Sequence, residues 1–278
     1  IMSVINIIIL VTLLLVLLWG LNNIFFKTNI LYDQMCEASV IAPATTSLAS
    51  TSNIIVAKDI PDTTSSNFML SVWFYIDNWN NNISNEKNIL FLANNKNSTT
   101  PTGLTPISGI SSKINPITQV ATSDNFALNK NINIALDKYE NNLLIDIECL
   151  PDNISDSGRT YYTRYKIPNV AIQKWNNLTI SVDTRTLDVY LDGKLRNSFI
   201  LHGLYKSFYD TDIKKNIYLG HVSTNNIGFE GFITRVRYIG DSINPQDAYN
   251  IYKEGINASL VNSLFNKYSL KVSFLEYK

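Results

Sequence analysis

Alternation of apolar and polar residues dominates the chain from residue 67 onward and predicts a series of short strands. In KWNNLTISVDTRTLDVYLDGKL, from Lys174 to Leu195, two consecutive runs carry an apolar side chain at every second position. This period is typical of strands with one buried face and one solvent-facing face. Asp192 and Gly193 follow the second run, and Gly tolerates the positive backbone angles of a two-residue hairpin turn. The stretch therefore predicts two paired strands and a return.

The segment FMLSVWFYI, residues 68–76, is apolar on both of its alternating faces. Such a strand suits the middle of a sheet in a β-sandwich better than an exposed edge. Many short strands separated by Asn, Asp and Gly turns indicate an all-β sandwich. The other strand predictions are 89–93, 132–137, 143–149, 161–167, 217–220, 229–238 and 270–275.

One short helix is predicted near the C-terminal end, at NPQDAYNIYKEG. Asn244 is a favourable N-cap, Pro245 fits the first helical position, and Gly255 fits the position after the helix ends. We expect this helix to lie on the surface of the sandwich.

The N-terminal run from residue 4 to residue 26 is apolar and uncharged. At about 1.5 Å per residue a helix of this length would measure roughly 34 Å, which is enough to cross a hydrocarbon core of about 30 Å. A cleaved signal peptide is the alternative, but the run lacks a basic n-region and a small-residue cleavage site directly after it. The prediction is a single-pass membrane anchor. Its representative residues are Val4, Ile8, Leu14, Leu18, Trp19, Phe25 and Phe26.

These patterns divide the chain into three parts. Residues 1–27 form the predicted transmembrane anchor, and residues 28–66, rich in Thr, Ser and Ala, are interpreted as an extended linker. Residues 67–278 form the sandwich, with a polar loop insertion near 94–130. Within the linker, residues 54–56 are alternatively an edge strand of the sandwich.

Composition narrows the classes of partner and site. Lys plus Arg and Asp plus Glu are 23 each, so the formal net charge is zero and no basic excess points to a nucleic-acid partner. Cys36 and Cys149 are the two cysteines. They leave open a disulfide or two free thiols, whereas a zinc site is disfavoured because no CxxC pair occurs.

The chain resembles concanavalin A-like jelly rolls of the laminin-G and pentraxin type. The resemblance is carried by the hairpin stretch quoted above, by IYLG at 217–220, by FEGFITRVRYIG at 229–240 and by MLSVWFYI at 69–76. It implies two antiparallel sheets folded as a jelly roll. Many relatives carry an acidic pair where this chain has Thr234 and Arg235, so any role of that pair is lost or moved here. The residues that carry the family signature are Trp73, Trp175, Tyr190, Asp192, Gly193, Gly220 and Gly231.

The same fold houses glycoside hydrolases that use two glutamates on an ExDxE strand. This chain has LLIDIE, which places Leu144 at the nucleophile position, and leucine cannot attack an anomeric carbon. We expect Asp146 and Glu148 to lie on the solvated face of a strand. The two histidines, His202 and His221, stand in no recognisable nucleophile context. The chain is therefore predicted not to be an enzyme.

Two binding functions stay open. The stretch DNISDSGR has ligand types that calcium prefers, with Asp152 and Asp156 as weak candidates, but it lacks the spacing of a known calcium loop. An ordinary polar loop is the default reading. Aromatic side chains are candidates for stacking on sugars, although in sandwiches they more often pack in the core. The candidates are Trp79, Tyr161, Tyr162 and Tyr209.

The sequence as a whole leads to a functional hypothesis of a membrane-anchored, non-enzymatic structural protein. Its partners would be the lipid bilayer and neighbouring structural proteins, onto which the jelly roll docks. Frequent Asn and Lys indicate an AT-rich genome. Together with the anchor, this suggests a minor capsid or membrane-linking protein of a large DNA virus, located at the interface of the inner virion membrane and the capsid. The alternatives are a surface lectin or adhesin that binds glycans and, third, an atypical glycoside hydrolase.

Overall fold

The computed structural model is a two-sheet antiparallel β-sandwich. It describes residues 9–10, 12–13, 16–17, 30–40, 53–61, 66–99, 105–106, 119–123, 130–150, 160–206 and 215–256. Its elements, in chain order, are β1 (Ile30–Tyr32), β2 (Cys36–Glu37), β3 (Ile54–Ile55), β4 (Phe68–Asn78), β5 (Lys87–Ala93), β6 (Thr105–Pro106), β7 (Gln119–Ser123), β8 (Ile132–Leu136), β9 (Leu143–Cys149), β10 (Thr160–Ile167), β11 (Trp175–Asp183), β12 (Thr186–Leu191), β13 (Lys194–Ile200), β14 (Asn216–Leu219), β15 (Glu230–Ile239) and the helix α1 (Pro245–Glu254).

Sheet I has the strand order β1-β15-β4-β11-β12-β13, with β2 pairing beside β1 on β15. The predicted central strand, β4, lies between β15 and β11 and is buried along most of its length. The prediction for this strand is confirmed. Its apolar character on both faces follows from its position, because one face packs on the core and part of the other is covered by α1.

Sheet II has the order β3-β14-β5-β8-β9-β10-β7-β6. Along β9, the side chains of Leu143, Ile145, Ile147 and Cys149 enter the core, and the intervening residues face outward. Core residues of sheet I, such as Leu178, Ile180 and Val182, meet them from the other side. Strand alternation therefore determines which side chains fill the core and which reach the outer faces.

The Asp192–Gly193 turn forms as predicted. Both residues have positive φ angles, 50° and 70°, which is the conformation of a two-residue type I′ hairpin turn. A Cβ added at Gly193 would lie 2.8 Å from the Cβ of Tyr252, so glycine also allows α1 to approach the turn. The hairpin and the helix are thus packed against each other at this point.

The predicted helix is confirmed with both of its ends. The Asn244 side chain accepts a hydrogen bond from the Asp247 N–H, and the Asp247 carboxylate accepts one from the Asn244 N–H, which completes a capping box. Gly255 ends the helix with a φ of 70°. Tyr252 stacks on Trp73 at 5.7 Å between ring centroids and 16° between ring planes. The helix therefore lies on the outer face of sheet I.

The structure adds strands where the sequence indicated linker and loop. β1 and β2 pair with β15, and β3 pairs with β14, so the segment 28–66 contributes to both sheets. β3 lies at the edge of sheet II, in agreement with the edge-strand alternative for residues 54–56. Inside the insertion, β6 and β7 extend the opposite edge of the same sheet. Such two- to five-residue pairings have no periodic signal long enough to be seen in sequence.

The seven anchor residues and the strand predicted at 270–275 lie outside the described residues. Among the residues that are described, no helix has the length and apolarity needed to cross a membrane. Cys36 and Cys149 are both buried in the core and are not joined by a disulfide.

Candidate functional site

The outer face of sheet I is divided into a covered part and an open part. On the covered part, Trp73 lies beneath Tyr252, and Arg235 and Arg237 are bound by Glu254 at the end of α1. Further along, the Ile243 N–H donates to the Ser181 hydroxyl. The segment from Ile243 to Glu254 therefore covers outward side chains from β15 to β11. It does not reach the next outward row of side chains along these strands.

That next row consists of Phe232, Tyr75 and Trp175, which we call the aromatic row. Phe232 on β15 is the Cα partner of Tyr75 on β4, and Tyr75 is the partner of Trp175 on β11. The ring centroids are 6.5 Å apart for Phe232 and Tyr75 and 5.6 Å apart for Tyr75 and Trp175. Phe232 is 38% exposed and the other two are half-buried. Three neighbouring strands thus present three aromatic rings side by side to solvent.

Polar groups stand at both ends of the aromatic row. Glu37 on β2 is the Cα partner of Phe232 and is exposed. At the other end, Lys174 precedes Trp175 and its ammonium lies 2.8 Å from an Asp192 carboxylate oxygen, which raises the pKa of Lys174. Asp77 follows Tyr75 on the same face of β4 and is exposed. An apolar strip with a few polar groups around it is the usual composition of a small-ligand site.

The outer face of sheet II corrects one expectation. Asp146 and Glu148 do not lie on a solvated strand face, because they are only 3% and 1% exposed. Arg164 binds Asp146 through two nitrogens at 2.6 and 2.8 Å, and Lys206 lies 3.3 Å from Glu148. Alternation correctly placed both carboxylates on one face, but it could not indicate that the face is covered. We call Asp146, Glu148, Arg164 and Lys206, together with the side chains that hydrogen-bond to them, the polar cluster.

Lys130 joins the polar cluster through Asn133, whose side chain donates to Asp146 at 2.8 Å. Its ammonium donates to the side-chain oxygens of Asn88 and Asn133 at 3.0 and 2.8 Å and lies 4.5 Å above the centre of the Phe91 ring. Burial lowers the pKa of Lys130 to about 7, against the opposing attraction of Asp146. The cluster is internally bonded, so its side chains act on one another more than on a ligand.

The signature residues have structural roles. Tyr190 is fully buried on β12, Gly220 follows β14 with a φ of 59°, and Gly231 lies in β15 against the Tyr75 carbonyl. Thr234 and Arg235, which replace the acidic pair of the family, are both buried. Trp175 alone of the signature tryptophans belongs to the aromatic row.

The weak calcium candidates, Asp152 and Asp156, lie outside the described residues. Within the described ranges, no group of three or more His, Cys, Asp or Glu side chains is arranged to hold a metal ion.

The aromatic residues proposed from the sequence for sugar stacking are not those of the row. Trp79 packs against the core beneath Lys87, Tyr162 is 1% exposed, and Tyr161 packs edge-on against His202. Tyr209 lies outside the described residues. The row was missed because its members are far apart in sequence and meet only through strand register. The one local signal was an outward aromatic residue in each of three predicted strands.

No family model matches the chain, and no curated protein matches it significantly. Among solved structures, the receptor-binding domain of botulinum neurotoxin D is similar with a TM-score of 0.42 and 11% identity, covering 72% of this chain and 40% of that one. The receptor-binding domain of the botulinum neurotoxin C/D mosaic serotype gives 0.41 and 13%, covering 69% and 37%. The CBM40 of the Ruminococcus gnavus IT-sialidase, bound to α2,3-sialyllactose, gives 0.40 and 9%, covering 68% and 83%. The chain spans less than half of the toxin domains, and likeness at these scores carries no functional conclusion.

Proposed function

We propose that this chain is a glycan-binding protein and that the aromatic row is its binding surface. The observation that carries the proposal is the in-register exposure of Phe232, Tyr75 and Trp175 beside a sheet face that α1 otherwise covers. A sugar ring has apolar C–H groups on its faces and hydroxyl groups around its edge. Aromatic rings pack against the faces, and the polar groups at the ends of the row are placed to hydrogen-bond with the hydroxyls.

The size of the aromatic row favours a glycan over a folded protein. An aromatic side chain has roughly 150–250 Å² of surface. Phe232 is 38% exposed and the other rings are less so, which leaves an accessible aromatic area on the order of 200 Å². A stable interface between folded proteins takes about 800 Å² from each partner. The row alone is therefore too small to hold a folded protein, whereas a few sugar rings would cover it.

The competing hypothesis is the docking function predicted from the sequence. There, an anchored sandwich links a membrane to neighbouring structural proteins, such as capsid proteins of a virion. That function needs broad contact surfaces distributed over the sandwich. Substitutions in the aromatic row should therefore weaken glycan binding, whereas they should leave docking over a broad surface largely unchanged.

The first prediction concerns single substitutions in the aromatic row of the full chain. Trp175→Ala, Tyr75→Ala and Phe232→Ala each remove one stacking ring and should weaken binding to glycans found on an array by about tenfold. The affinity is measured by titration calorimetry with the best-bound glycan. The control is Tyr139→Ala, because Tyr139 is 69% exposed and lies in the β8–β9 connection of the other sheet.

Two outcomes would contradict the proposal. One is glycan binding that the three row variants retain at the level of the control. The other is an array without any bound glycan, combined with cross-links from the sandwich to a few abundant proteins in the native particle or membrane. The second result would favour the docking hypothesis.

A further inference from the structure

We infer that the aromatic row takes a single uncharged glycan chain of about three sugar rings, lying across the strands, rather than an anionic glycan or a flat crystalline polysaccharide. The inference rests on the proposed function and specifies its ligand class. It comes from three properties of the row, namely its length, the tilt of its rings and the charges beside it.

The length of the row sets the number of sugar rings. Neighbouring strands are about 4.8 Å apart, so Phe232, Tyr75 and Trp175 span roughly 10 Å perpendicular to the strands. The centroid separations of 6.5 and 5.6 Å are each comparable to the length of one pyranose ring. One sugar ring over each aromatic ring therefore fills the row.

The tilt of the aromatic rings distinguishes a single chain from a crystalline surface. The planes of Tyr75 and Trp175 differ by 49°, and those of Tyr75 and Phe232 by 40°. Each strand also rotates relative to its neighbour through the twist of the sheet. A flat crystal face would contact one ring of the row at a time. A single chain can rotate about its glycosidic bonds so that successive sugar rings follow the successive aromatic planes.

The charges beside the aromatic row disfavour an anionic glycan. Glu37 lies directly across from Phe232, with a Cβ separation of about 5 Å expected for cross-strand partners. Asp77 lies on the same face two residues beyond Tyr75, and both carboxylates are exposed. The nearby cation, Lys174, is already paired with Asp192. A sialic acid or sulfate group on the ligand would therefore be repelled by these carboxylates. Lys174 would not offset this repulsion, because its charge is already paired with Asp192.

The test measures binding of the full chain to defined probes at low ionic strength, where screening is weakest. Neutral gluco-oligosaccharides from monosaccharide to hexasaccharide should gain affinity up to the trisaccharide and then level off. Sialyllactose and a heparin oligosaccharide should bind at least tenfold more weakly than a neutral trisaccharide. Microcrystalline cellulose should retain no protein.

A charge variant provides the matched control. Glu37→Gln combined with Asp77→Asn should raise the affinity for the anionic probes, relative to the affinity for the neutral trisaccharide, by roughly threefold to tenfold. Wild-type protein that prefers an anionic probe, that needs only a monosaccharide or that is retained on cellulose would overturn the inference. If that binding is lost in Trp175→Ala, the proposed function stands and only the ligand class is wrong. If neither a probe nor any glycan on the array binds, or if Trp175→Ala binds like wild type, the proposed function itself fails.

Discussion

Buried charged side chains of this sandwich stabilise one another in pairs. On the outer face of sheet II, Asp146 and Glu148 are held by Arg164 and Lys206 in positions nearly closed to solvent. The Asn131 side chain adds a hydrogen bond to Glu148 at 2.9 Å. Removing one member of a buried pair leaves the other without compensation, which is more damaging than never having the pair. Substitution of one of these paired residues should therefore destabilise the folded protein by leaving its partner without compensation.

Lys130 gives a prediction of how stability depends on pH. Its folded pKa of about 7 lies below the ordinary 10.5, so between these values the unfolded chain holds a proton that the folded chain has lost. Stability from this group therefore rises with pH above 7, by up to about 1.4 kcal/mol per pH unit. Lys130→Met should remove that rise, as measured by urea unfolding between pH 7 and pH 10.

The matched control is Lys138→Met, because Lys138 is exposed on the β8–β9 connection. Its pH profile should run parallel to that of the native chain. Parallel profiles for the native chain and Lys130→Met would show that Lys130 does not titrate in this range.

At the level of elements, the sequence was informative where signals are local. Alternation placed β4, β9 and β11, and the cap residues placed both ends of α1. The short strands β1 and β2 lacked such signals, because two or three residues cannot show a period. The aromatic row depends on the registers of β15, β4 and β11, which join residues at least 100 positions apart. Non-local register is the part of the site that sequence patterns could not provide.

The attachment of α1 gives a prediction about the covered part of sheet I. Glu254 accepts from Arg237 at 2.5 Å and from Arg235 at 3.2 Å, and both arginines are buried. Glu254→Ala should lower the free energy of unfolding by about 3 kcal/mol, because it leaves two buried guanidinium groups without this carboxylate. Near-ultraviolet circular dichroism should also lose the contribution of the Trp73–Tyr252 stack.

A substitution at the opposite end of the helix serves for comparison. Gln246 is exposed in the first turn, so Gln246→Ala should change stability by no more than about 0.5 kcal/mol. Equal losses in the two variants would mean that the arginine contacts do not hold the helix on the sheet.

At the scale of the molecule, the N-terminal strands β1 to β3 extend both sheets of the sandwich. β2 pairs with β15, and the Ala38 carbonyl accepts from the His221 N–H at 2.9 Å. Cys36, Ile55 and Ile60 enter the main core. The part of the chain interpreted as a linker is therefore bonded to strands near the opposite end of the sequence.

A truncation tests whether these N-terminal strands stabilise the sandwich. A chain that begins at residue 67 should unfold at a clearly lower urea concentration than one that begins at residue 28. The two lost isoleucines alone contribute roughly 2 kcal/mol each, out of a typical total of about 5–15 kcal/mol. Equal midpoints for the two chains would support a linker without structural contribution.

The position of β4 between β11 and β15 also has a consequence for biosynthesis. Both neighbours of this strand are translated long after it, and β15 follows it by about 150 residues. At about 5–20 residues per second, the ribosome needs on the order of 10–30 s to make that stretch. β11 follows β4 by about 100 residues, so for roughly the first two-thirds of this time this largely apolar strand has neither partner. Nascent chains should therefore require chaperone protection at least until β15 has been synthesised, and the sandwich should fold only after that point.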